Sequence, residues 1–126
     1  MNINVNIFVL NVKIANDVVL YKTDARYMNK IGIPPVNATS LLGSYDPKQK
    51  LLSVFSYSSM QRQALYNNSV WYEDNYHPYQ GDVINIFNDG VIGEEGPFGP
   101  FYEVETSSSA KPLKVGERHQ HVQHTY

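Results

Sequence analysis

Cysteine is absent from this chain, which excludes disulfide frameworks, thiolate zinc sites and cysteine nucleophiles and leaves the redox compartment open. An excess of either charge is missing too. Ten basic and twelve acidic residues leave a formal charge of -2, and no block of like charge occurs. Such a balance gives no electrostatic reason to expect a nucleic acid or an anionic membrane as partner. No apolar run approaches the roughly 20 residues that a membrane-spanning helix needs. A signal peptide would show a basic start and an unbroken apolar stretch, and Asn2, Asn4 and Asn6 interrupt any such stretch. The chain therefore reads as cytosolic or as a piece of something larger.

A helical repeat is also lacking. The best window, residues 58–67, is short and has no strong apolar spacing at three and four. There is no phosphate-cradling glycine loop, because the glycines of 93–99 have no lysine and no following helix. No nucleophile elbow and no basic-aromatic stripe is present. Two sequons, at Asn37 and Asn67, matter only in a eukaryotic secretory pathway and are read here as chance occurrences.

What is present is β-structure. A hydrophobic share of 42% over 126 residues allows one domain with a real core. Ile3, Val5, Ile7 and Val9 alternate with asparagines as strand faces do. Asn16-Asp17 is good turn chemistry before a second strand at 18–21, so a hairpin is expected. Residues 26–40 contain Pro34-Pro35 and read as irregular or edge structure, since proline removes a ladder donor. Residues 43–47 read as a turn, and 51–57, 69–73, 83–88, 101–106 and 118–126 as strands. The fold class predicted is all-β, an antiparallel β-sandwich in a single domain.

From residue 24 onward, motifs accumulate in a fixed order. They run Lys30-Ile-Gly-Ile-Pro-Pro, Leu42-Gly-Ser-Tyr-Asp, Leu51-Leu-Ser-Val, Tyr66-Asn-Asn-Ser-Val-Trp-Tyr-Glu, Pro78-Tyr-Gln-Gly-Asp-Val-Ile-Asn, Phe87-Asn-Asp-Gly and Gly99-Pro-Phe-Tyr-Glu-Val-Glu. This series resembles the C-terminal portion of an uncharacterised bacterial domain family, which in turn resembles the galactose-mutarotase-like β-supersandwich proteins. The resemblance implies part of a supersandwich and a carbohydrate-related role, either sugar binding or an aldose-epimerase-like or metal-dependent sugar-active enzyme. Because family members are longer, it also implies a C-terminal part of a larger domain, which an inactive structural fragment would satisfy equally. A fragment of stacked sheets would leave strand edges open to self-association. The family's closing His-x-His-Thr is matched here by His121-Val-Gln123-His-Thr125, with only the first histidine in register.

Several residues are candidates for chemistry. His119 and His121, two apart on a strand, would share a face and could hold a divalent metal through neutral imidazoles, unless that strand is simply solvated. Glu103 and Glu105 likewise share a face. Were their strand to pair with the last one, they would meet His121 as the acid/base couple that anomeric epimerisation needs. For ligand binding, Asp82 opens the 83–88 strand and Asn85 sits between two isoleucines, where a poor strand former should be hydrogen-bonding something. Trp71, the single tryptophan, and Tyr102 complete that set, because aromatic faces stack on sugar C–H groups and phenols reach sugar oxygens. Core packing is the competing explanation for Trp71, and turn chemistry for Asp89-Gly90.

Overall fold

The computed structural model describes residues 4–6, 11–58, 60–69 and 77–126. The described residues form β-strands and no helix. Four strands make the first sheet: β1 (Asn4–Asn6), β4 (Asn29–Ile33), β7 (Ile84–Asn88) and β8 (Tyr102–Thr106), in the order β1-β4-β7-β8. The hairpin of β2 (Val12–Ala15) and β3 (Val18–Tyr21) is separate, and β5 (Leu41–Asp46), β6 (Leu51–Tyr57) and β9 (Gln123–Thr125) form a third sheet in the order β5-β6-β9. Every pairing between these strands is antiparallel.

Strand alternation sorts the four-stranded sheet into two chemically distinct faces. Opposed residues share a face, so the register Ile31↔Ile86, Ile33↔Ile84 and Ile86↔Val104 gathers the aliphatic side chains on one side. That inner face packs on the other strands. Ile33 and Ile84 join Val83, Ala38, Tyr57 and Tyr66 in the core, with Val19 of β3 and Leu42 of β5 against them. Burying an isoleucine this fully removes apolar surface worth about 1.5–3 kcal/mol, so these positions hold the layers together.

Polar ties cross the same gap at both ends of β8. The Tyr102 hydroxyl lies 2.7 Å from Ser44 Oγ on β5, and Thr106 Oγ1 donates to Gln123 Oε1 on β9 at 2.7 Å. The arrangement is a sandwich of antiparallel sheets, as the alternation predicts.

The hairpin follows its turn chemistry. Asn16 and Asp17 have φ of 50° and 61° between the opposed Ala15 and Val18, a two-residue turn whose twist suits the flanking strands. Other expectations need correction. Residues 29–33 are a central, fully buried strand and not irregular or edge structure. The prolines fall just past its end, so they cost it no ladder bonds. Residues 43–46 are strand, and the turn is displaced to 47–50, where Asp46 Oδ1 accepts from the amides of Lys48 and Gln49. The expected 69–73 strand lies largely outside the described residues.

The last strand is short and pairs elsewhere. It was expected over 118–126 beside the strand of Glu103 and Glu105. Regular structure begins only at Gln123, and β9 pairs with β6. Backbone bonds between Val54 and Tyr126 and from Ser58 N to Val122 O extend this ladder at both ends. The cause lies in the connection. Residues 107–122, with Pro112 and Gly116, carry the chain from β8 across to the other layer, where β9 joins β6.

Candidate functional site

The outer face of the four-stranded sheet carries Lys30 and Gly32 from β4, Asn85 and Phe87 from β7, and Glu103 and Glu105 from β8. An outer face of a sandwich is ordinarily wet, and its polar groups are exposed. Here several are not. Asn85 is 3% exposed, Asp82 7% and Lys30 9%. Polar groups withdrawn from water this far must find partners.

Lys30 Nζ sits 3.3 Å from Glu105 Oε2, joining the central strand to the edge strand across β7. Of this pair the ammonium is the covered member, since the Lys30 side chain is 10% exposed and that of Glu105 43%. Asn85 Oδ1 accepts from Ser69 Oγ at 3.1 Å. Asp82 takes the space over Gly32. A Cβ at position 32 would overlap the Asp82 carboxylate, coming within 2.5 Å of its Cγ. The absent side chain of Gly32 is thus what admits a carboxylate to the sheet surface. At the β8 edge the face opens to solvent through Glu103 and Glu105, and Phe87 meets Phe101 there with ring centroids 6.0 Å apart.

The expected ligand set divides. Asp82 and Asn85 belong to this outer cluster together with Glu105. Tyr102 points to the inner face, where it ties the sheets through Ser44. Trp71 lies outside the described residues. Lys30 was missed by sequence reasoning. The available signal was a lysine two residues before a glycine in Asn-Lys-Ile-Gly-Ile, directly ahead of the apolar run that closes the strand.

The acid/base couple is not assembled. Glu103 and Glu105 lie on the outer face, whereas their neighbour Thr106 reaches inward and meets His121 Nε2 at 2.8 Å. The sheet itself separates the carboxylates from the imidazole. The Thr106 hydroxyl thus bridges the His121 imidazole and the Gln123 side-chain amide. The His121 ring also lies 6.1 Å from that of Tyr57. This is a seam between layers. His119 stands exposed in irregular chain, so the strand spacing that would have set it beside His121 on one face does not exist. Among the described residues no group of three or more His, Cys, Asp or Glu side chains is placed to hold a metal ion.

The Asn88-Asp89-Gly90 turn is structural. Asn88 Oδ1 accepts from Ala25 N at 3.0 Å, and its Nδ2 donates to Tyr27 O at 2.9 Å. Asp89 Oδ2 accepts from Gly99 N at 2.6 Å and anchors the glycine-proline loop.

Two tyrosines give the fold a pH limit. Burial, with a contribution from Asp24, pushes the Tyr21 phenol far above the ordinary tyrosine range, and Tyr21 hydrogen-bonds Asn29. Burial, with a contribution from Tyr66, pushes Tyr57 up as well. An unfolded chain ionises these groups near pH 10 while the native protein retains their protons. Their stabilising contribution is complete below about pH 10 and falls as pH rises beyond it. The urea midpoint is therefore expected to drop between about pH 9.5 and 11.5, less steeply in a Tyr21→Phe/Tyr57→Phe variant. An equal decline in both proteins would contradict this assignment.

Searches of curated proteins and of solved structures yield no match to this chain. The model of one family does match, over residues 6–126, which is nearly all of the sequence. The motifs that build the two-faced sheet and its glycine-admitted carboxylate fall within that span, and the chain belongs to the family of unknown function DUF6786.

Proposed function

We propose that this domain binds a carbohydrate on the outer polar face of the four-stranded sheet. The observation that carries the reading is the burial of Lys30, Asp82 and Asn85 on a face that alternation assigns to solvent. An ammonium, a carboxylate and an amide held close together match the alternating donors and acceptors of vicinal hydroxyls. Glu105 and Glu103 mark the open side, and Phe101, partly exposed against Phe87, offers an apolar border for sugar C–H groups. The resemblance to mutarotase-like proteins supports the same substrate class. Binding is preferred to epimerase-like or metal-dependent catalysis because the carboxylates and His121 lie on opposite sides of the sheet. A structural fragment without activity is the remaining alternative, and it predicts silence toward every sugar.

The test is a hexose and disaccharide panel measured by calorimetry and by the fluorescence of the single tryptophan. For a sugar that binds, Asn85→Ala and Glu105→Gln are expected to weaken affinity at least about tenfold, the loss of one or two hydrogen bonds to partly desolvated groups. Tyr102→Phe, altered on the inner face, leaves affinity unchanged. Circular dichroism checks that each variant is folded. Silence across the panel, or equal losses in Tyr102→Phe, would overturn the reading.

A further inference from the structure

The three-stranded sheet has an outer face of its own. Leu42 packs on the core, Ser44 meets Tyr102 and Gln123 meets Thr106, so the alternate positions point away from the sandwich. The register places Leu41 and Tyr45 of β5 there, with Leu52 and Val54 of β6. Tyr126, whose backbone exchanges both hydrogen bonds with Val54, stands beside them and stacks on His124 with ring centroids 6.2 Å apart. An outer sheet face in contact with water ordinarily carries polar and charged groups. This one holds no Asp, Glu, Lys or Arg on any of its three strands, and Leu41, Leu52, Tyr45 and Tyr126 are between 59% and 74% exposed.

We propose that this face is a self-association surface, through which two copies of the chain pack sheet on sheet about a two-fold axis. The proposal is independent of the carbohydrate reading, since it uses the opposite layer and leaves the outer face of the four-stranded sheet open. Two observations choose a second copy as the occupant. The first is charge. A two-fold axis brings side chains at its centre against their own counterparts, so a formal charge would repel itself there, and these strands present none on this face. The second is area. At these exposures the two tyrosines and two leucines offer roughly 400 Å², counting about 200 Å² for a whole aromatic side chain and about 100 Å² for a leucine. Two such faces would withdraw about 800 Å² from water, close to the apolar half of a standard interface of about 1,600 Å². Gly43, opposite Val54, keeps the middle of β5 low between Leu41 and Tyr45, a recess that a ring from the other copy can enter as stacked sheets interdigitate.

The experiment is sedimentation velocity on the full chain from about 1 to about 200 µM, a range that brackets micromolar association. A dimer is expected that forms in the micromolar range or below, as interfaces of this size do. Tyr45→Lys and Leu52→Lys each enter the interface twice and are expected to weaken dimerisation at least about 100-fold, because every copy then brings an ammonium that must be desolvated against its like. Tyr126→Ser, altered outside the core, weakens it at least about tenfold, as loss of an aromatic contact from both sides implies. Leu20→Lys, similarly exposed on β3 but away from this face, leaves it unchanged. Circular dichroism checks that each variant is folded. A chain that stays monomeric at about 200 µM, its face left to a different protein or a further segment, overturns the proposal. So does a dimer that survives both Tyr45→Lys and Tyr126→Ser.

Discussion

Gly90→Ala is expected to destabilise the protein by about 4 kcal/mol, combining backbone strain with an irreducible clash. Gly90 follows β7 with φ of 150°, a conformation that side-chain-bearing residues rarely adopt. A Cβ there would also run into the main chain of Arg26 and Tyr27, coming within 2.6 Å of the Tyr27 carbonyl carbon. Main chain cannot swing aside as a side chain can. These segments are locked by Val91 N donating to Arg26 O and Met28 N to Val91 O, with Asn88 bonded to Ala25 and Tyr27. For a domain of this size the change lowers Tm by about 15 °C. Gly93→Ala is the control. Gly93 has φ of 57°, but a Cβ there would meet nothing within 4 Å, so only the conformational cost of about 1 kcal/mol applies. Equal losses at the two positions, read by thermal unfolding, would show that the close approach to Tyr27 is not the cause.

Gly32→Ala is the second large effect, about 2–3 kcal/mol, and it couples stability to the proposed site. The new methyl would overlap the Asp82 carboxylate. Asp82 could rotate away only by giving up its buried position, where it is 7% exposed. In an Asp82→Ala background the same substitution costs less, since only the Cβ at 3.1 Å remains to be met. This non-additivity is the signature of direct contact. Gly43→Ala, on β5, serves as the comparison. Its Cβ would stand 3.5 Å from Ser53 O and 3.6 Å from Leu52, an ordinary separation, and the expected change is within about 0.5 kcal/mol. Additive costs at positions 32 and 82 would mean that Gly32 serves some other purpose than admitting the carboxylate.

These glycines show where the sequence was readable and where it was not. Strands bounded by their own turn residues were legible. Asn16-Asp17 marks the β2–β3 hairpin, Asn88-Asp89-Gly90 ends β7, and β6 runs over 51–57 as its composition indicates. β4 was hidden because Pro34-Pro35 drew the whole of 26–40 into one irregular segment, although proline constrains only itself and the residue before it. β5 was hidden because Gly43 and Asp46 resemble turn residues, while the turn is set one step later by the Asp46 side chain.

At the site, Asn85 was conspicuous as a poor strand former among isoleucines, and its burial and bond to Ser69 accord with that reading. Asp82 was named from its place at the start of that strand, but its seat over Gly32, and the part played by Lys30, required the register, since nothing local reveals that a glycine on one strand makes room for an aspartate outside another. The pairing of the last two strands failed for a related reason. Alternation assigns faces within a strand, but which edge a strand joins depends on the loop that delivers it, and 107–122 spans the sandwich.

The central claim is that the sheet presents a ligand-binding outer face and a purely structural inner one. Amide chemical-shift mapping during titration with a bound sugar tests it most directly. Shifts are expected at Lys30 through Gly32, Asp82 through Phe87 and Glu103 through Glu105, with Ser44, Thr106, His121 and Gln123 unmoved. Perturbations concentrated at the Thr106–His121 seam, with the Gly32–Asp82 region unchanged, would contradict the account.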